Sequence, residues 1–171
     1  MATANDGRAD DRDEGRSLAQ WFCLIVGLTL ILAGIAGFFV EAKFDTAIGG
    51  DPGALDGESL LGFEVNGWHN VVHIATGLFL LVFAARHAAA KTAALVFGVT
   101  YAVVTVIGLI DGKDVLGLIP VNKADNVLHI VLSVLAIAVG LASTRDRDSQ
   151  RAQTSGAVRA SAVEGAGARR G

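Results

Sequence analysis

The chain has 171 residues, which is the scale of one domain, and 52% of them are hydrophobic and gathered into long blocks. A single cysteine, Cys23, excludes a disulfide framework and a cysteine-based metal site. The net charge of −3 sums several separate surfaces and gives no indication of a nucleic-acid partner.

Four apolar blocks each have close to the ~20 residues that a helix needs to cross the hydrocarbon core of a bilayer. They carry almost no charged residues, whereas a soluble helix of this length would need a polar stripe. Because helices satisfy their own backbone hydrogen bonds in lipid, the pattern predicts an all-α, integral membrane four-helix bundle. The predicted spans are Leu18 to Val40, Gly67 to Ala85, Thr92 to Ile110 and Ala124 to Ala142.

The first block has an alternative interpretation as a cleaved signal peptide, because Val40 and Ala42 would form a small-residue cleavage site. It is longer than the ~7–15 apolar residues of a signal sequence, and the segment before it is acidic. We therefore interpret it as a span.

The segments outside the spans are polar. Residues 1–17 and 143–171 are rich in Gly, Ala and Ser, which predicts disordered tails. Residues 41–66 are acidic and contain the turn-rich stretch "GGDPGALDG", which predicts a mobile outer loop with one short helical turn around Leu60.

Lysine and arginine near the span ends predict the orientation, because cytoplasmic loops carry an excess of these residues. One side is flanked by Arg12, Arg16, Arg86, Lys91, Arg145, Arg147 and Arg151, and the other by Lys43, Lys113 and Lys123. Both termini are therefore expected to be cytoplasmic, in a protein of the cell membrane.

Two sequence matches indicate an internal duplication. "LIVGLTLILAGIAGF" from Leu24 aligns with "LVFGVTYAVVTVIGL" from Leu95, and "VNGWHNVVHI" from Val65 aligns with "VNKADNVLHI" from Val121. The pattern predicts two helical hairpins of the same kind, related by a pseudo-twofold axis along the membrane normal. The second and fourth spans would then lie diagonally across the bundle, with their polar faces converging.

These polar faces carry the candidate functional residues. Polar groups in hydrocarbon are costly and normally turn toward the protein interior. One interpretation is a cluster that joins the helices, with reciprocal hydrogen bonds from His73 to Asn126 and from His129 to Asn70. The cluster consists of Asn66, Asn70, His73, Asn122, Asn126 and His129.

Two other interpretations remain open. His69, His73, Asp125 and His129 repeat an i, i+4 spacing on two helices, so they could bind zinc, and His73 with His129 could hold a haem b. A third possibility is a small transporter or a proton-conducting oligomer, since intramembrane ionisable groups mark such pathways. The sequence contains no phosphate loop or nucleophile triad, and we expect no enzymatic activity.

The pairs Asn70 to His73 and Asn126 to His129, preceded by His69 and Asp125, resemble the paired Asn-x-x-His motif of domain of unknown function 4383, a group of small four-span bacterial membrane proteins. The similarity covers Leu18 to Leu141. The chain departs from the pattern at Ser133, which stands where the first motif has Gly77.

The resemblance implies a cell-membrane location and supplies no reaction. We expect a non-enzymatic accessory or scaffold protein with no cofactor in the helix-joining interpretation. The expected partners are the lipid bilayer and other membrane proteins or further copies of the chain, without nucleic acid.

Overall fold

The computed structural model describes residues 16–50 and 55–167, with the side chains of 16–50, 55–143 and 155–156. This part of the chain forms four helices and two short antiparallel β-hairpins. In chain order they are α1 (Leu18–Val40), β1 (Glu58–Leu60), β2 (Phe63–Val65), α2 (Gly67–Phe83), α3 (His87–Asp111), β3 (Asp114–Val115), β4 (Ile119–Pro120) and α4 (Lys123–Gly167).

Among the described residues, three helices are long and apolar enough to cross a membrane: α1, α3 and the Lys123–Ser143 part of α4. The helix α2 is shorter, with 17 residues, and ends at Phe83. Large apolar side chains cover the outward faces as well as the core, and Phe39, Val82 and Ile110 are 88%, 70% and 77% exposed. Helices that are apolar all round suit a lipid environment, so the fold is that of a membrane protein.

The helices pack most closely within each half of the chain, α1 on α2 and α3 on α4. A Cβ atom added at Gly27 would lie 2.9 Å from the carbonyl oxygen of Gly77. One added at Gly98 would lie 3.0 Å from the carbonyl oxygen of Ser133. The backbones therefore approach each other at the same aligned positions in both halves, with small residues at each crossing.

Each half also has a β-hairpin between its two helices. Glu58 pairs with Val65 in the first hairpin, and Asp114 pairs with Pro120 in the second. Both turns contain a Leu-Gly pair with positive φ, Leu61–Gly62 and Leu116–Gly117. The predicted helical turn around Leu60 is wrong, because this turn geometry suits antiparallel strands, whose pairing satisfies the backbone instead.

Two helix boundaries differ by more than two residues from those predicted. The helix α3 begins at His87 rather than Thr92, and α4 continues to Gly167 through a segment that we expected to be disordered. The extension of α4 is rich in Ala and Arg, which have high helix propensity, and a helix that is already formed needs no new nucleus. The other residues of the predicted tails, 1–15 and 168–171, lie outside the described residues, as does the 51–54 stretch of the outer loop.

Candidate metal centre

Asn66 and Asn122 lie at the starts of α2 and α4. The Asn66 side chain accepts a hydrogen bond from the backbone N–H of His69 at 2.9 Å and donates one to the carbonyl of Leu118 at 2.8 Å. Asn122 accepts from the backbone N–H of Asp125 at 3.0 Å and donates to the carbonyl of Gly62 at 2.9 Å. Each asparagine thus caps its own helix and ties it to the hairpin of the other half.

Asn70 and Asn126 lie one turn further along. The Asn70 side chain donates to the carbonyl of Glu41 at 2.8 Å, and its oxygen lies against Gly37. The Asn126 oxygen lies against Gly108, 3.0 Å from where a Cβ would be. Each amide faces a glycine on the neighbouring helix, and the approach is closer at Gly37 than at Gly108.

The predicted reciprocal bonds, His73 to Asn126 and His129 to Asn70, do not occur among the hydrogen bonds of the described side chains. The Asn70 amide instead pairs with the carbonyl of Glu41, which follows the last residue of α1. Carbonyls at a helix C-terminus lack an intrahelical partner, so they compete for a nearby donor.

Three histidines come together in the structure. His69 and His129 are buried, with 2% and 5% exposure, and His73 is half-buried. One ring nitrogen from each histidine lies within 4.8 Å of those of the other two, and the Nε2 atoms of His69 and His73 are 3.0 Å apart. We call His69, His73 and His129 the histidine cluster.

His69, a candidate zinc ligand from the sequence, is buried at the hairpin end of the molecule. Strand β2 and the end of β4 cover this residue, and backbone groups of Glu64 and Pro120 are its polar neighbours. The hairpin end of the molecule therefore closes over the histidine.

Ring packing and unsatisfied nitrogens characterise the cluster. The rings of His69 and His73 meet edge to face with centroids 4.3 Å apart, and the Tyr101 ring meets that of His129 at 5.0 Å. The Nδ1 atoms of His69 and His129 are buried and make no hydrogen bond of good geometry. Buried polar atoms are normally satisfied, so the Nδ1 atom of His129 indicates a missing partner.

Asp125, the fourth predicted metal ligand, is buried next to the cluster but is not among the groups whose ligand atoms lie within 4.8 Å of one another. Its carboxylate accepts hydrogen bonds from the backbone N–H groups of Glu64 at 3.0 Å and Asn122 at 2.9 Å. It therefore fixes β2 against the start of α4 and brings a negative charge close to the histidines. Burial, followed by the charge of Asp125, raises the pKa of Glu64 in β2.

A cavity of about 560 Å³ lies between α1 and α4, and the histidine cluster forms part of its wall. Its other walls are mainly apolar, with Ala33 and Ala36 on α1 and Leu128 and Leu132 on α4. Its volume lies within the range of small-molecule binding sites.

A comparison with protein families decides the membership of the chain. The sequence profile of the domain of unknown function DUF4383 matches residues 20–142. The chain belongs to this family. Membership in DUF4383 confirms the resemblance carried by the paired Asn-x-x-His motif. No curated protein matches the chain, and no solved structure matches it.

The cavity and the two hairpins are features that the sequence reasoning missed. A signal for the hairpins was present, because "LGFEVN" from Leu61 and "LGLIPVN" from Leu116 share a Leu-Gly pair shortly before an Asn that caps a helix. The cavity leaves no such signal, since its walls have the same apolar composition as the surfaces that pack together.

Proposed function

We propose that this DUF4383 protein is a non-enzymatic, multi-pass protein of the cell membrane that binds a divalent metal ion of the zinc type through His69, His73 and His129. The observation that carries the proposal is the approach of three ring nitrogens to within 4.8 Å of one another. In a tetrahedral zinc site with Zn–N bonds of about 2.0–2.1 Å, the nitrogens would be about 3.3 Å apart. Small side-chain movements therefore suffice to bring all three onto one ion.

The chemistry of the site suits a borderline cation. Neutral imidazole is a good ligand for Zn²⁺ and related ions, and the cluster contains no thiolate that would favour a soft metal. The carboxylate of Asp125, whose Oδ2 atom accepts two backbone hydrogen bonds beside the cluster, would offset part of the charge of the ion.

A small ion fits this cluster better than a haem b between His73 and His129. The His69 ring contacts His73 at 4.3 Å between centroids, and the Tyr101 ring packs on His129 at 5.0 Å. A macrocycle between the two proposed axial ligands would have to displace both neighbours, whereas an ion would not.

We further propose that α2 is a fourth span, that both termini are cytoplasmic, and that the two halves are duplicated hairpins related by an axis along the membrane normal. Two pairs of equivalent contacts support the duplication. Gly27 meets Gly77 as Gly98 meets Ser133, and the caps of α2 and α4 bind the hairpins of opposite halves.

Metal analysis of the purified protein tests the metal proposal. The protein would be purified in a non-ionic detergent, stripped with a chelator, reloaded with Zn²⁺ and analysed for bound metal. We expect about one ion per chain, and loss of that ion in the double variant His73→Ala/His129→Ala. The matched control is His87→Ala, which removes the remaining histidine of the chain, at the start of α3.

Co²⁺ would serve as a spectroscopic probe of the same site, because its visible absorption distinguishes four-coordinate nitrogen ligation from hexaaqua ions. Wild-type protein that binds neither Zn²⁺ nor Co²⁺, or a double variant that binds as the wild type does, would overturn the metal proposal.

The sequence-based alternative, a scaffold whose polar cluster joins the helices, has its own support in the asparagines. Asn66 and Asn122 link the two halves through Leu118 and Gly62. If the protein is metal-free and the double histidine variant changes only its thermal stability, this scaffold role would be the better account.

A further inference from the structure

The cavity between α1 and α4 is larger than a metal ion needs, and its position indicates a second kind of ligand. Leu32 on α1, Leu61 in the first hairpin and Leu128 on α4 line the cavity and are all exposed. The cavity therefore opens on the outer apolar surface of the helices, the surface that would face lipid. A molecule dissolved in the bilayer could enter it without crossing water.

The two ends of the cavity differ chemically. One end is lined by the histidine cluster and Asp125 beneath the first hairpin, where Phe63 and Val65 form a cover. The rest is lined by apolar side chains, with Thr29 on α1 as the exception away from that end. This arrangement matches an amphiphile with one polar head and one apolar chain.

The charge balance of the proposed metal site indicates the sign of the head. Three neutral imidazoles leave a divalent ion with two positive charges, and the carboxylate of Asp125 offsets one of them. An isolated net charge in an apolar environment is costly, so the site needs one more anion. The three histidines leave the fourth position of a tetrahedral ion open, as in zinc sites that bind an exchangeable ligand.

We propose that the cavity binds a single-chain lipid with a carboxylate head, a long-chain fatty acid, whose carboxylate completes the coordination of the metal ion and whose chain lies between α1 and α4. This inference rests on the proposed metal function. A volume of about 560 Å³ accommodates one acyl chain rather than a two-chain phospholipid. The cavity exists because the side chains on the α1 wall are small. Ala33 and Ala36 face it and do not fill the space between α1 and α4.

The test uses the full chain in lauryl maltoside, a detergent without a carboxylate, loaded with Co²⁺ and titrated with palmitate. We expect a change in the visible Co²⁺ spectrum that saturates near one equivalent, because a carboxylate oxygen replaces water in the fourth position. Methyl palmitate, which has the same chain and no anionic head, should leave the spectrum unchanged.

Two variants test the place of the acyl chain. Ala33→Phe fills the cavity from α1 and should keep the Co²⁺ spectrum while weakening palmitate binding about tenfold or more, equivalent to ~1.4 kcal/mol. The matched control is Val103→Phe, at a position 54% exposed on α3 and away from the cavity, which should bind palmitate as the wild type does. Leu128→Phe narrows the same cavity from α4 and replaces Ala33→Phe if that variant does not fold.

Failure of this inference differs from failure of the metal proposal. If Co²⁺ binds and palmitate neither changes its spectrum nor binds, the fatty-acid proposal is overturned and the metal site stands. Preferential binding of lysophosphatidate would overturn the carboxylate head, and binding of palmitate unaffected by Ala33→Phe would overturn its location. If no metal binds at all, both proposals fall.

Discussion

The two halves of the chain have the same order of helix, β-hairpin and helix, and they differ at an aligned position beside the histidine cluster, which is His69 in α2 and Asp125 in α4. His69 belongs to the histidine cluster, with a ring nitrogen 3.0 Å from that of His73. Asp125 binds backbone N–H groups of both halves and stays outside the cluster. His73 and His129, in contrast, are identical in the two halves and meet at the cluster.

This comparison separates residues that build the fold from residues that build the site. Asparagines repeated in both halves make equivalent contacts, such as Asn70 against Gly37 and Asn126 against Gly108. The aligned pair His69 and Asp125 is not repeated, and it makes the site asymmetric. The site has three imidazoles in the cluster and one carboxylate next to it. In a symmetric chain, residues 69 and 125 would be the same. The site would then contain four histidines, or two carboxylates and two histidines.

The largest expected effect is on metal affinity, and it comes from substitutions at the two aligned residues that differ, His69 and Asp125. Asp125→Asn keeps a hydrogen-bond acceptor for Glu64 while removing the charge, and we expect a loss of about tenfold in metal affinity, the low end for outer-shell groups, because Asp125 binds no histidine directly. His69→Gln removes a ligand and should exceed that loss. Zn²⁺ affinity would be measured by competition with a chromophoric chelator.

If His69→Gln bound Zn²⁺ with wild-type affinity, His69 would not be a ligand. The distinction between a ligand at residue 69 and an outer carboxylate at residue 125 would then be refuted. The variant Asn122→Ala serves as a control for damage to the start of α4, because the side chains of Asn122 and Asp125 each accept the backbone N–H of the other there, and Asn122 carries no charge.

The glycines facing the two repeated asparagines should differ in their tolerance of a methyl group. A Cβ at Gly37 would collide with the carboxamide of Asn70, whose other atoms are tied to Glu41, whereas a Cβ at Gly108 would be 3.0 Å from the nearest atoms of Asn126 and Val121. We expect Gly37→Ala to destabilise the protein by about 1–3 kcal/mol and Gly108→Ala by less. Thermal unfolding in detergent, followed by tryptophan fluorescence, measures both.

The double variant Gly37→Ala/Asn70→Ala provides the check, because it removes the collision and leaves only the loss of the Asn70 hydrogen bond. It should be more stable than Gly37→Ala alone. Equal destabilisation by the two single glycine variants would show that Asn70 is free to move.

The two capping asparagines, Asn66 and Asn122, should differ by a smaller amount in their contribution to stability. Loss of an Asn cap costs ~0.5–2 kcal/mol, and Asn66→Ala should lie near the upper end because Asn66 is 3% exposed and also holds the carbonyl of Leu118. Asn122→Ala should cost less, because its bond to Gly62 is exposed to solvent. The same thermal assay applies, and a larger loss at Asn122 would reverse the order.

The sequence carried much of the helical architecture and little of the site geometry. The bounds of α1, Leu18–Val40, could be predicted because an apolar block without a polar stripe needs only its own length to define a helix in lipid. The convergence of His73 and His129 followed from their shared motif. The burial of His69 could not be predicted, because it depends on a hairpin of three-residue strands that are too short to show an alternating pattern.

The partners of the asparagines were beyond sequence reasoning for a related reason. A hydrogen bond between the amide of Asn70 and an imidazole would satisfy both groups, but the carbonyl of Glu41 at the end of α1 also needs a donor and lies 2.8 Å from the Asn70 amide nitrogen. A choice among three groups that all need a hydrogen bond depends on distances that only the packed helices determine.

The smallest expected effect concerns the residues that follow α1 and α3, which are Glu41 in the first half and Gly112 in the second. The Glu41 carboxylate accepts a hydrogen bond from the backbone N–H of Lys43 at 2.9 Å, and mainly for this reason the pKa of Glu41 lies below its usual range. Its folded state thus binds a proton less readily than the unfolded chain, so its contribution to stability is present at neutral pH and is lost as the pH falls through the lowered pKa.

The variant Glu41→Gln should therefore be slightly less stable than the wild type at neutral pH, and this difference should disappear as the pH falls through the lowered pKa of Glu41. Thermal unfolding of both proteins across this pH range measures the difference. A difference that stayed constant to acid pH would mean that the Glu41 charge does not hold the loop after α1. In that case the hydrogen bond from the Asn70 amide to the Glu41 carbonyl would hold the loop by itself. The difference between the two halves at this point would then lie in that hydrogen bond and not in the charge of the Glu41 side chain.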